Sequence, residues 1–191
     1  MNTLESLSTW KPVKITQVKR SEIEHQAHLD HAIERITECI PLHTGWSGQR
    51  NRAIRDEIDH HIHRYQNYVI QGTIKSHYHE KNTSLKSSDC TFEHVIPRGQ
   101  IRDILLLGQI TVVQALNIPT CRISRQNDAL LRKAKLVKTN NNPYLFFHRY
   151  VSAMGTNLPK IETYDGTEIN MNTWTLEDHY NYFKIIGNIK S

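Results

Sequence analysis

The run Phe92-Glu93-His94-Val95-Ile96-Pro97 sets a carboxylate beside an imidazole at the end of a short apolar stretch, just ahead of a proline. A histidine of ordinary pKa, about 6.5, can take a proton from water near neutral pH. A carboxylate oxygen is a ligand that hard cations such as Mg²⁺ or Mn²⁺ prefer. Together the two suit phosphodiester hydrolysis, in which a base activates water and a cation meets the developing charge. Adjacent residues of an ideal strand point to opposite faces, so the pair serves one site only where the backbone leaves the regular strand. Further on, Asn127 and Asp128 bring more oxygen donors to the start of a helix. On its own, a histidine in a strand reads as a core residue. Glu93 before it, Pro97 after it and the downstream Asn change that reading.

These elements must be positioned by their neighbours. Cys90–Ile96 and Pro119–Arg125 read as strands, and Arg98–Leu107 as a helix. Thr111–Leu116 reads as a helical turn capped by Thr111. Asp128–Val137 reads as a helix capped by Asn127 or Asp128. The order strand, connection, strand, helix resembles the HNH (ββα-metal) nuclease family, whose strand often reads Glu-His-Val-Ile-Pro. The segment is particularly similar to the HNH domain of CRISPR effector nucleases. The resemblance spans residues 90–136 and implies an α+β fold: a mainly helical chain around a ββα-metal core of two antiparallel strands and a helix. It implies that Glu93 is a metal ligand, His94 the general base, Asn117 a bracing residue and Asn127 the second ligand. Many family members carry His at that last position, so Asp128 stays open as the ligand. The cofactor implied is one Mg²⁺ or Mn²⁺. Arg125, near Asn127, is the candidate phosphate contact on the second strand, with Arg122 nearby. The long helical connection from Pro97 to Asn117 departs from the family pattern.

The flanks read as recognition parts. Ser21 and Glu24 have capping-box spacing, and Ile23, Ala27, Ala32, Ile33, Ile36 and Ile40 form a helical stripe that Pro41 ends. A loop, residues 43–49, carries Trp46. A second helix follows on Ile54, Ile58, Ile62, Tyr65 and Val69. Its other face holds Arg50, Arg52, Arg55, Asp56, Asp59 and Arg64, either a solvated face or a phosphate-contacting one. Trp46, Arg50, Arg52, Arg55 and Arg98 are the candidate nucleic-acid contacts. Residues 71–89 read as a linker, Asp165-Gly166 as a hairpin turn and Thr175–Phe183 as a final helix. This divides the chain into a helical region for DNA recognition or dimerisation (1–89), a catalytic core (90–138) and an aromatic segment packing on it (139–191).

Of 191 residues, 24 are Lys or Arg and 19 Asp or Glu, a formal charge of +5. That modest excess suits a polyanion. Cys39, Cys90 and Cys121 include no CxxC pair, which disfavours a zinc ribbon, and their odd number disfavours a disulfide framework. No signal-like or membrane-length apolar run is visible, and a cytoplasmic protein is expected. His60, His61, His63, His77 and His79 read as polar surface histidines ahead of a zinc site. The expected activity is DNA cleavage of a type II restriction kind, on double-stranded DNA, with homodimerisation as one arrangement. A phage or mobile-element nicking nuclease, a nuclease toxin, and a non-catalytic nucleic-acid-binding module are the alternatives.

Overall fold

The computed structural model describes residues 22–82, 88–136 and 142–185. Residues 1–21 lie outside them, among them Ser21, read above as part of a capping box. The fold is α+β and mostly helical. Helix α1 (Glu22–Cys39) runs into a short 3-10 turn (Ile40–Leu42) at Pro41, which cannot continue an α-helix. Helix α2 (Gln49–Tyr65) continues through a π-helical stretch (Gln66–Ile70) into α3 (Gln71–Thr73). Beyond them come α4 (Arg98–Leu106), α5 (Val112–Leu116), α6 (Arg125–Lys133), α7 (His148–Met154) and α8 (Leu176–Tyr182).

Five strands form one mixed sheet: β1 (Tyr78–Glu80), β2 (Cys90–His94), β3 (Thr120–Ser124), β4 (Ile161–Thr163) and β5 (Glu168–Ile169), in the order β2-β3-β1-β4-β5. Strands β1 and β3 are parallel and the other pairs antiparallel. The two expected strands are therefore present and antiparallel, with His94 opposite Thr120 and Glu93 opposite Cys121. They belong to a larger sheet instead of standing alone. The stretch 71–89 is more than a linker, because β1 fills the centre of that sheet. Three residues are too few to show an alternating pattern, and β1 gains its partners from β3 and β4, far along the chain.

Local signals explain several boundaries. Thr111 and Gln114 make a reciprocal capping box at α5, and Thr175 and Asp178 make another at α8. Gly166 turns the β4–β5 hairpin with φ of 91°. Helix α6 begins three residues earlier than the sequence pattern suggests. Ser124 is its cap, accepting from the Asn127 backbone N–H at 3.3 Å, so neither Asn127 nor Asp128 caps it. Both of those residues sit in its first turn.

Helices α1, α2, α4 and α5 pack on one another, while α6 touches β2, β3 and α7. One contiguous hydrophobic cluster runs from Ala32 in α1 to Ile185, so the three sequence regions share a core. Ile36, Ile58 and Ile62 are fully enclosed at the α1–α2 contact. Burying such a side chain stabilises by roughly 1.5–3 kcal/mol. Behind the sheet lies a buried polar network. Tyr78 Oη bonds His179 Nδ1 and accepts from Trp174 Nε1, both at 2.9 Å, while His179 Nε2 bonds the Asn117 carbonyl at 2.7 Å. Among the described residues, no helix is long and apolar enough to cross a membrane.

Candidate active site

Strand β2 is an edge of the sheet, and its end opens on a cleft of about 620 Å³. Thr91, Phe92, Glu93 and His94 line it, with Pro97, Arg98 and Gly99 from the start of α4, Asp59 from α2, and Asp128 and Arg132 from α6. The edge position answers the geometric difficulty of adjacent strand residues. A cleft that wraps a sheet edge is reached from both faces, so Glu93 and His94 line it together.

His94 is partly buried, and its Nε2 is enclosed without a hydrogen-bond partner among the described residues. Its ring lies 5.8 Å from that of His63 and edge-on to Phe92 at 5.5 Å. Burial, then the charge of Arg98, then His63 and Arg149 push its pKa down to about 3. His94 is therefore neutral at neutral pH, the form that accepts a proton.

Glu93 is held from the C-terminal segment. Arg149 Nη2 donates to its Oε1 in a close ion pair, and Tyr150 Oη donates to its Oε2 at 2.7 Å. The same Arg149 Nη2 donates to the His94 carbonyl at 2.8 Å, and Nη1 to the Leu136 carbonyl at 3.1 Å. The Arg149 side chain is fully buried. Burial raises the Glu93 pKa against the pull of Arg149 and Tyr150. Neither α7 residue was singled out in the sequence. The signal was there: an arginine inside the run Phe146-Phe147-His148-Arg149-Tyr150 must find a partner if that run is buried.

The other acids have guanidinium partners too. Asp59 accepts from Arg102 Nη1 at 2.7 Å, and Asp128 pairs with Arg132 Nη2 at 2.9 Å. Asp128, buried at the cleft, is better placed than Asn127, which is absent from the lining. Asn117 ends α5, where its Nδ2 donates to the Val113 carbonyl at 2.9 Å and its carbonyl serves His179. It lies outside the cleft lining. Arg125 is also outside it, with Nε donating to the Ser88 carbonyl at 2.7 Å. Arg122 is buried, with Nη1 3.3 Å from Cys90 Sγ.

This donor set does not fit a divalent-cation centre. Among the described residues, no group of three His, Cys, Asp or Glu is placed to hold a metal. Both Glu93 oxygens already accept from Arg149 and Tyr150. The histidine cluster is likewise dispersed: His61 meets Glu57 at 3.1 Å, His63 meets Asn67 at 2.9 Å, His77 meets Thr120 at 2.9 Å and His79 meets Glu162 at 3.3 Å. His61 and His77 are buried, not surface groups as their polar setting suggested.

Trp46 is half-exposed and lies under the Arg55 guanidinium at 5.9 Å. Asn51 shapes this loop, accepting from the Thr44 N–H at 3.1 Å and donating to the Ser47 carbonyl at 2.8 Å. Arg50 and Arg52 are exposed. Arg55, Asp59 and His63 recur at intervals of four on α2, so they share one face. That face runs from Trp46 to the cleft.

Three enclosed histidines fold in the neutral form. Burial pushes His94 and His179 down to about 3, and burial with the nearby His179 pushes His77 well below its ordinary value. A folded pKa below the unfolded one means that the unfolded chain binds protons first. Stability is therefore full above pH 6.5 and lost as pH falls toward 3. Three such groups should cost about 3 kcal/mol between pH 6.5 and 5.5. Urea unfolding at those two pH values checks this, and equal stability at both would contradict it.

No family model, curated protein or solved structure matches this chain.

Proposed function

We propose that the chain is a nuclease that hydrolyses a phosphodiester in the cleft at the end of β2, with His94 as general base. The observation that carries this is a neutral, partly buried imidazole with an unpartnered Nε2, lining a cleft that also carries Arg98 and Arg132. His94 takes a proton from water, the resulting hydroxide attacks phosphorus, and one P–O bond breaks as the leaving oxygen gains a proton. The low His94 pKa is set partly by Arg98 and Arg149. A phosphate beside those groups offsets their charge and strengthens the base when substrate is present. The antiparallel β2–β3 pair followed by α6 supports an HNH-type reading, with Glu93 and Asp128 facing the cleft. Duplex DNA is the proposed substrate. Incubation with plasmid, followed by mapping of the ends, tests the reading: cleavage yielding phosphate and hydroxyl termini supports it, and intact plasmid over a range of pH and salt refutes it.

One observation favours a second reading. A histidine driven to about 3 is a weak base before substrate arrives. A non-catalytic nucleic-acid-binding module would keep the same cleft and never cleave.

The face from Trp46 through Arg55 is proposed to carry the nucleic acid toward the cleft. If Arg50, Arg52 and Arg55 touch phosphate, each Arg→Ala should weaken binding on all sequences and flatten the salt slope by about one unit. An arginine that reads a guanine should instead lose specificity at one base pair, at roughly 1–3 kcal/mol. Fluorescence anisotropy across a salt series separates the cases, and wild-type slopes in all three variants would assign this face to solvent.

A further inference from the structure

We infer that the cleft binds a phosphate group directly, on Arg98 and the start of α4, with fixed guanidinium groups meeting its charge in place of a divalent cation. The first support is the pairing of charges. Three carboxylates line the cleft, and each is already met by an arginine: Asp59 by Arg102, which it shares with Asp103, Glu93 by Arg149, and Asp128 by Arg132. Arg98 lines the same cleft, and its side chain makes no hydrogen bond or ion pair among the described residues. A cation would have to displace Arg149 from Glu93, and the Arg149 side chain is fully buried. An anion meets the unpaired Arg98 instead.

The second support is the backbone. Helix α4 is nine residues long and starts at the cleft with Pro97, Arg98 and Gly99. The Pro97 carbonyl takes the N–H groups of Gln100 and Ile101, so the N–H groups of Arg98 and Gly99 precede the first intrahelical bonds. No acidic residue stands in that first turn. Such N–H groups and the helix dipole favour an anion. The third support is His94 on the same wall, with its buried, unpartnered Nε2. That atom is closed to solvent, so rotation of the ring toward the cleft it lines would bring it to a phosphate oxygen. Gly99 keeps the wall open beside the helix start, its nearest neighbour for an added Cβ being Arg102 Nη2 at 3.5 Å. The identity of the anion as a nucleic-acid phosphodiester rests on the nuclease reading; binding of phosphate does not require cleavage.

Calorimetric titration of the full chain with inorganic phosphate, in EDTA, tests this, with a separate titration of Mn²⁺. One phosphate should bind per chain without metal, and Arg98→Gln, on the cleft rim, should weaken it about tenfold or more. Mn²⁺ should show no stoichiometric binding. Absence of phosphate binding, an unchanged affinity in Arg98→Gln, or stoichiometric Mn²⁺ binding would each overturn the inference. A short DNA oligonucleotide then identifies the source of the phosphate. If it displaces inorganic phosphate, the site takes the nucleic-acid backbone. If phosphate binds and DNA does not displace it, the phosphate site stands and the nuclease reading falls.

Discussion

Replacing Arg149 by methionine is expected to destabilise the fold by about 3–5 kcal/mol near neutral pH, because it leaves the Glu93 carboxylate enclosed without its cation. The guanidinium does three things at once. It neutralises Glu93, it holds the His94 carbonyl at 2.8 Å, and it ties the Leu136 carbonyl beyond α6 at 3.1 Å. Methionine keeps much of the volume and none of these bonds. The loss should grow with pH. Burial already raises the Glu93 pKa, and without Arg149 it rises further. The variant is then spared below the ordinary carboxyl range, where Glu93 is protonated in both states, and penalised as pH rises through the folded value. Urea unfolding at acid and neutral pH measures both parts. The double variant Glu93→Gln with Arg149→Met should recover some of the loss, since no charge is then buried alone. A loss under about 1 kcal/mol, or one that does not change with pH, would mean that the pair is not the clamp described here.

Removing the imidazole is the second large effect. His94→Ala should lower the rate of phosphodiester cleavage by about 10²-fold or more while DNA affinity stays close to wild type. Affinity should survive because Arg98 and the Trp46–Arg55 face carry the phosphate contacts. Stability should survive too, and improve slightly in acid, since one buried neutral histidine is removed. A variant that folds, binds and still cleaves at the wild-type rate would take the base role from His94.

The residues that could do chemistry were legible because Glu93, His94 and Pro97 sit together in sequence, and short-range signals survive folding. The same holds for the cap at Thr111 and for the turn at Asp165-Gly166, where one or two side chains decide the backbone. The partners were hidden because they arrive from afar. Arg149 and Tyr150 meet Glu93 across more than fifty positions, and Asp59 belongs to a helix face that reads as solvated. Strand β1 was hidden for a related reason. Its three residues owe their conformation to β3 and β4, not to their own pattern. The start of α6 was misplaced because Ser124 outcompetes Asn127 as the cap once β3 ends at that residue. The expected cation at Glu93 came from the family resemblance of the Glu-His-Val-Ile-Pro run. A short motif does not report that a buried guanidinium occupies the same carboxylate.

The most direct test is single-turnover cleavage of a labelled DNA duplex by the wild-type chain and by His94→Ala, side by side, with binding of both followed by anisotropy. The account predicts cleavage by the wild type, a rate at least about 10²-fold lower in the variant, and equal binding by both. Equal rates in the two proteins, or duplex bound by both and cut by neither, would contradict it.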